Sequence, residues 1–493
     1  MLNGKRFTNV REIVNIIKHN MFQRIHRIII TCVISVCAVN AACGEEMSLY
    51  LRDSIPERWS YQPESAMEIP EPENGWWKCF ADPTLDSLMT LGIENNYNIA
   101  MAVRRAEIAR NNMLSARGGW MPSVGVDAGW VKSRSSGRIM QPYSNGVTQS
   151  YFSAGLSASW EIDIFGKVAS KVKAEKGAWK ASRAEYAGVM LSVNAQIASA
   201  YMRLRMLQQQ LCVANRHAEN QMKIVNIAKA RFETTLASKL DVAQAYEVYY
   251  STTASVPMLE NSIHTVINSL AVLTGIPITA AEKMLDGKSE MPEYIQMVNA
   301  GIPIELLRRR PDIVQAEMEL AQYAAEIGIA KKDFLPTLSI NGSIGSSAHR
   351  LGDLMKSGTF TYSVAPTLSW TIFDGLTRKY NLANARESMA IGIDNYNLTV
   401  SNAVQEADNA LSAYYSSLRY VDAVQKVVEQ NKEELALAID RYKNSLSPMS
   451  DVVTAQLNSL AAENQIIEAK GSALSALISL YEALGGGFDI DNM

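Results

Sequence analysis

Five histidines and a thin scatter of cysteines are all that this sequence offers to metal or thiol chemistry. His19, His26, His217, His264 and His349 stand alone, with no HxxxH or HExxH pair among them. Cys32, Cys37 and Cys43 fall in or beside a leader segment, which leaves Cys79 and Cys212 for the mature chain. Two cysteines build neither a disulfide framework nor a Cys₄ metal site. Cys212 lies in a helical stretch and is expected to be buried or inert. Glu161 and Asp163 resemble a catalytic carboxylate pair. Two residues apart at the end of a strand, they are expected to line a lumen instead. No Gly-x-Ser-x-Gly or His–Asp constellation accompanies them. The sequence therefore points away from an enzyme and calls for no cofactor.

Composition narrows the remaining classes. The 493 residues are 47% hydrophobic and 20% charged, with a formal net charge of −3. Nucleic-acid binding would need a concentrated basic face, and none is present. Near the start, Arg24, His26 and Arg27 precede an apolar run from Ile28 to Val39, and then Asn40-Ala41-Ala42-Cys43. A basic region, a short apolar region and small residues at the exit make a secretory signal. Its functional start is Met1 or Met21. Cys43 directly after Ala-Ala resembles a bacterial lipoprotein acylation site, although Asn40 stands where a leucine is usual. Ordinary cleavage near Ala41 or Ala42 is the other reading. No later stretch holds 18 uninterrupted apolar residues, so a membrane role must come from strands.

The elements that would carry such a role are written twice. Arg231-Phe232 is echoed by Arg441-Tyr442, an offset of 210 residues. Leu236 and Leu446, Asp241 and Asp451, and Trp160 and Trp370 keep that offset, while Met121-Pro122 recurs as Leu335-Pro336. A period this long marks a duplicated structural unit rather than a solenoid. The chain divides into a signal region (1–42), an extended segment (43–75), a first repeat (76–275), a connection (276–305), a second repeat (306–487) and a tail (488–493). Each repeat reads as a helix, two strands and two long helices. Good helix formers fill Val189–Val256 and Ile393–Ser447 without glycine or proline. A single helix over Lys167–Phe232 would be on the order of 100 Å long.

Four segments alternate instead with period two. They are expected as strands at about 121–132, 151–164, 335–346 and 360–373. Val124, Val126, Ala128 and Trp130 lie on one face of the first, with Ser, Gly and Asp between them. Leu156 and Trp160, Leu338 and Ile340, and Tyr362, Leu368 and Trp370 continue the pattern. This is the length and rhythm of a transmembrane β-strand. Trp130, Trp160, Tyr362 and Trp370 are placed as an interfacial aromatic girdle. Pro366 on the apolar face suits an edge position. The Ser- and Gly-rich stretches Lys132–Ser150 and Ser346–Thr359 are expected as exposed outer loops. Four strands cannot close, and an open edge cannot stand in lipid. Eight would enclose a filled interior. The small polar inner face demands a wet pore, and hence at least three chains.

With these residues in view, the sequence resembles the TolC-type outer-membrane factor family, most nearly its lipidated drug-efflux branch. The likeness is carried by Leu306-Leu307-Arg308-Arg309-Arg310-Pro311-Asp312-Ile313, the strand exits Trp160–Gly166 and Trp370–Gly375, and the two Arg-aromatic…Leu…Asp segments. It covers about Trp76 to Gly487. The resemblance implies a mostly α chain with a membrane β-barrel: a homotrimer whose twelve-stranded barrel continues into a twelve-helix periplasmic tunnel. It implies a periplasmic adaptor and an inner-membrane pump as partners, and outer-membrane lipid around the barrel. It also implies a gate at the helical tips, in which Asp451 constricts the opening, Asp241 is its counterpart and Tyr442 holds the tip closed. This chain has Ser447 where the family's latch uses an arginine. The residue-level alternative is that Asp241 and Asp451 simply cap their helices, and the 306–313 stretch reads as a turn into a helix with Pro311 near its start. Three functions stay open at this stage: efflux duct, channel of a type I secretion system, and a poreless periplasmic coiled-coil scaffold.

Overall fold

A computed structural model of the chain describes residues 75–136, 138, 146–286, 291–292 and 310–486. The signal region, Cys43, most of the inter-repeat connection, 306–309 and the tail lie outside the described residues. Helix α1 (Pro83–Asn95) opens on Asp82, whose carboxylate accepts the N–H groups of Thr84 and Leu85, with Pro83 pre-set for the first turn. Asn96 separates it from α2 (Tyr97–Arg117) and caps that helix the same way. Strands β1 (Ser123–Ser135) and β2 (Val147–Ile162) follow, then α3 (Lys167–Glu233), α4 (Lys239–Thr274) and the short α5 (Ile278–Leu285). The second repeat supplies α6 (Pro311–Lys332), β3 (Thr337–Ala348), β4 (Phe360–Ser369), α7 (Thr377–Lys443) and α8 (Met449–Ala483).

The 210-residue offset reappears in the helix boundaries. Both α3 and α7 span 67 residues, and each begins and ends 210 positions from the other. At 1.5 Å per residue each is about 100 Å long. Helix α3 packs against α2, α4, α6 and α8, while α7 packs against α6 and α8. Small residues permit the closest approaches: a Cβ at Gly177 of α3 would meet the Gln322 backbone nitrogen of α6 at 2.9 Å. The largest apolar core joins the Trp76–Phe80 turn and α1 to α3, α4, α7 and α8. There Trp76 stacks on Tyr481 with ring centres 5.3 Å apart.

The strands form one antiparallel sheet in the order β1-β2-β3-β4. Its central pair, β2 and β3, comes from different repeats, so the sheet stitches the duplication together. At that seam Gly155 faces Gly345. A Cβ on either would come within 2.6–2.7 Å of the opposing backbone, so only glycine fits the pair. Strands β1 and β4 are the edges, and Pro366 sits in β4 as expected of an edge residue.

Several boundaries differ from expectation. Strand β1 extends to Ser135 and β2 starts at Val147, so strand replaces much of the loop expected at Lys132–Ser150. Their alternation simply continues in polar residues, which the apolar pattern does not register. At the other end β4 stops at Ser369, leaving Trp370 just beyond it. Arg378 fixes that exit by bonding the carboxylate of Asp374 and the carbonyls of Asp333 and Thr371. Asp163 has a capping role that the strand pattern does not announce. It lies past the end of β2, where it accepts the N–H groups of Val168 and Ala169 at the start of α3. Cys212 is exposed on α3 rather than buried. In the second repeat Pro311 is the first residue of α6. The preceding Arg310 is buried, bonding Asp312 twice, Glu406 of α7 and the carbonyl of Ala483 at the end of α8. The described part of the 306–313 stretch is thus a buried joint between three helices.

Candidate functional site

Two regions carry functional geometry: the faces of the sheet and the tips of the helical hairpins. Pairing register decides which strand residues share a face. Val126, Leu156, Ile344 and Tyr362 lie in one row, and Trp160, Ile340 and Pro366 in another. On this face Val126 is 79% exposed, Tyr362 76% and Val364 72%. A continuous apolar sheet face of this kind does not persist in water. The opposite face carries hydroxyl, amide and carboxylate side chains bonded to one another. Ser157 donates to Asp127, Ser159 to Asn341, and Ser343 pairs with Ser363. One face therefore suits lipid and the other suits water, with two open edges between them.

Of the four aromatic residues proposed as a girdle, Trp130, Trp160 and Tyr362 lie on the apolar face by register, and Trp370 follows the end of β4. Trp130 packs near Phe152 with ring centres 6.4 Å apart, and Tyr362 near Phe360 at 6.2 Å, both toward the loop end. Trp160 and Trp370 mark the end nearest the helices. Each donates its indole N–H at 3.0 Å, Trp160 to the carbonyl of Trp120 and Trp370 to that of Phe334. The two repeats thus fix their lower tryptophans by the same bond, although Trp370 lies outside the strand.

At the far end each long helix turns back through an identical terminus. The N–H of Leu236 bonds the carbonyl of Arg231, and that of Thr235 bonds Phe232; Leu446 and Ser445 repeat this with Arg441 and Tyr442. This paired pattern needs a left-handed residue, usually glycine. Thr235 and Ser445 occupy the position at φ 62° each, so both turns hold strained backbone.

The returning helices begin differently. Ser238 caps α4 in a reciprocal pair with Asp241: Asp241 N–H donates to the serine hydroxyl, and Ser238 N–H donates to the Asp241 carboxylate. Helix α8 has Pro448 in place of that serine. Proline offers neither a hydroxyl acceptor nor an N–H donor, so Asp451 at the matching position has no capping partner. Its carboxylate is exposed and lines a cavity of about 480 Å³ with Glu433, Glu434, Arg441 and Ser447. Tyr442 is buried in a small core with Val225, Ala228, Ala245, Met449 and Val452. Burial pushes its phenol up in pKa, and the nearby Asp241 carboxylate adds to the shift.

The residue that ties the two hairpins together is one the sequence marked only as a repeat echo. Arg231 donates to the carbonyl of Lys443 at 2.6 Å and to the hydroxyl of Ser445 at 2.7 Å. Its guanidinium also lies over the ring of Tyr442, 4.9 Å from the centre. Asp241, Tyr442 and Arg231 are thus brought together, whereas Asp451 faces the neighbouring groove. Higher up, the buried carboxylate of Glu463 on α8 accepts from His217 at 3.0 Å and pairs with Arg216 and Lys432. Burial pulls that carboxyl upward in pKa. The bond from His217 and the charges of Arg216, His217 and Lys432 outweigh it, holding the value at about 2. Among the described residues no cluster of His, Cys, Asp and Glu could hold a metal ion.

Known proteins are similar to this chain in sequence and in fold. The pyoverdine export outer membrane protein OpmQ of Pseudomonas aeruginosa is 28% identical over 470 residues, covering 93% of this chain and 97% of its own. The probable efflux pump outer membrane protein TtgC of Pseudomonas putida is 26% identical, covering 88% and 89%. The open state of the Neisseria gonorrhoeae MtrE outer membrane channel superposes with a TM-score of 0.76 at 28% identity, covering 90% and 98%. Residues 88–276 and 302–486, the two halves of the duplication, match the outer membrane efflux protein family. With both halves matched and a sheet built for lipid on one face and water on the other, the chain belongs to the outer membrane efflux protein family.

Proposed function

We propose that three copies of this chain close a twelve-stranded barrel in the outer membrane, each β1 edge pairing with the β4 edge of its neighbour. The long helices extend from it into the periplasm as a tunnel. The observation that carries this reading is the four-stranded sheet, which has a lipid-compatible face, a hydroxyl-lined face and two unpaired edges. Three copies satisfy those edges and leave the polar face lining a passive duct. A periplasmic adaptor and an inner-membrane pump complete the path, and the pump supplies selectivity. The efflux-pump and pyoverdine-export relatives favour this over a type I secretion channel. A poreless scaffold would have no use for the sheet.

Asp451, Tyr442 and Asp241 are assigned to a gate at the tips. Three Asp451 carboxylates around the axis would form a cation-binding ring, supported by the missing cap at Pro448. Asp241 acts through its capping box and its proximity to Tyr442. Trp130, Trp160, Tyr362 and Trp370 hold the barrel at the two membrane interfaces. Cys43 is assigned as an acylated N-terminus, and intact mass of the mature protein checks it. The test of the whole reading is reconstitution in planar bilayers. The chain should run as a heat-modifiable trimer and raise conductance in discrete steps. A monomer without conductance contradicts it.

A further inference from the structure

The apolar face of the sheet carries charge at one end only. Counting alternate residues through the paired register, that face presents Val124, Val126, Ala128 and Trp130 on β1, and then Lys132 and Arg134. The residues sharing it on β2, β3 and β4 include no other charged side chain. Lys132 and Arg134 therefore continue the lipid-facing row past Trp130, toward the loop end and away from the helices. A cation on this face is costly at mid-membrane and nearly free at the interface. Two residues of one sign at the same edge fit a place in the head-group layer.

The height agrees. Phe152, opposite Trp130, lies eight residues from Trp160 along β2. At about 3.3 Å per residue and a tilt near 40°, that is roughly 20 Å of membrane normal, close to the apolar band of such barrels. Trp130 then marks the outer boundary, and Lys132 and Arg134 lie roughly 7 and 13 Å beyond it along the strand. Opposite them on the same face stand Ser150 and Thr148. The Ser150 hydroxyl oxygen accepts the Trp130 indole N–H at 3.0 Å, so its own proton remains to be donated. Two cationic side chains beside two hydroxyls on one face make a positively charged patch rich in donors, and its natural complement is a phosphate.

We propose that Lys132, Arg134, Ser150 and Thr148 form a binding site for the phosphorylated sugar head group of an outer-leaflet glycolipid. The proposal rests on the barrel reading above, since only insertion brings these residues to a lipid phosphate. Bound lipid would fix the height of each β1 edge where neighbouring subunits meet.

The test uses full-length protein extracted as trimers in mild detergent, with bound lipid read by native mass spectrometry. The probes are bis-phosphorylated lipid A, the same lipid after enzymatic dephosphorylation, and phosphatidylglycerol. Wild type should retain bis-phosphorylated lipid A at least tenfold more tightly than the other two. The Lys132→Gln/Arg134→Gln variant should lose that preference while keeping its heat-resistant trimer and its conductance. If the double variant does not assemble, Lys132→Gln alone should lower retention and Lys132→Arg should restore it. Equal retention of the dephosphorylated lipid, equal retention of phosphatidylglycerol, or undiminished retention by the variants overturns the proposal. Failure of the barrel reading would look different, as wild type itself would then form neither trimer nor pore.

Discussion

Replacing Arg231 with alanine should loosen the periplasmic tips more than any change at the aspartates. Arg231 makes two charge-assisted bonds to the other hairpin, at 2.6 Å to the Lys443 carbonyl and 2.7 Å to the Ser445 hydroxyl. Such bonds are worth ~1.5–3 kcal/mol each when buried, and the half-exposed position argues for ~1 kcal/mol each. The ring of Tyr442 beneath the guanidinium adds ~0.5–1 kcal/mol. If these contacts break on opening, Arg231→Ala removes about 2–3 kcal/mol from the closed state. At ~1.4 kcal/mol per tenfold, the open-to-closed ratio of each subunit's tip should then rise by about 30- to 150-fold. Arg231→Lys keeps the charge without the planar fork and should fall between. Single-channel recording at low voltage measures this as the fraction of time spent conducting. An unchanged open fraction in Arg231→Ala, with trimers intact, would refute the view that the joint between hairpins holds the tip.

Other substitutions separate the roles assigned above. Leu156→Arg or Ile340→Arg, on the lipid face, should cost ~2–4 kcal/mol near the midplane, whereas Ser157→Arg or Ser339→Arg should be tolerated; heat-resistant trimer yield reports both, and equal damage would mean the faces are reversed. Asp451→Ala should weaken block by multivalent cations applied from the periplasmic side without lowering stability. Asp241→Ala should instead lose a capping box, ~1 kcal/mol of helix stability, with little effect on block; the two are told apart by pairing block measurements with thermal melting. Glu463, held at about 2 in the fold against an ordinary 4.5, contributes stability that is present above pH 4.5 and fades as pH falls toward 2. The half-exposed Arg216 is screened by solvent, so Glu463→Gln should cost about 2 kcal/mol at pH 7. Melting curves of variant and wild type should draw together below pH 4.5 and meet only as pH reaches about 2, and a gap that persists there would point to packing rather than charge.

What the sequence made legible follows the range of the interactions involved. Helix limits were readable because composition and the repeat both act locally: the 210-residue offset between Arg231 and Arg441 recurs in the ends of α3 and α7. Strand faces were readable because alternation is a two-residue rule, although it hid the polar outer ends of β1 and β2. The capping role of Asp163 was missed because strand parity was extended one residue past the strand end, where a helix terminus claims its carboxylate. The contrast between Asp241 and Asp451 was available in the sequence, since Ser238 and Pro448 occupy the same capping position. Arg231 was out of reach, because its partners lie more than 200 residues away and no local pattern announces them. The exposure of Cys212 likewise depends on which faces of α3 its neighbours cover. Thr235 and Ser445 carry a left-handed turn that glycine would ordinarily mark, so the signal usual for such a turn was absent.

The pairing of β1 with β4 between neighbouring subunits can be measured directly. In a chain whose Cys79 and Cys212 are replaced by serine, cysteines are introduced in turn at Gly125, Asp127 and Gly129 of β1, each with Ser363→Cys on β4. These positions share the pore-lining face and sit on the two open edges of the sheet. Oxidation in intact outer membranes should give dimers and trimers cross-linked between subunits for one register and weak or no product for its neighbours. Absence of any intersubunit product across all three pairs, in protein that reaches the membrane, would contradict closure of the barrel by three chains.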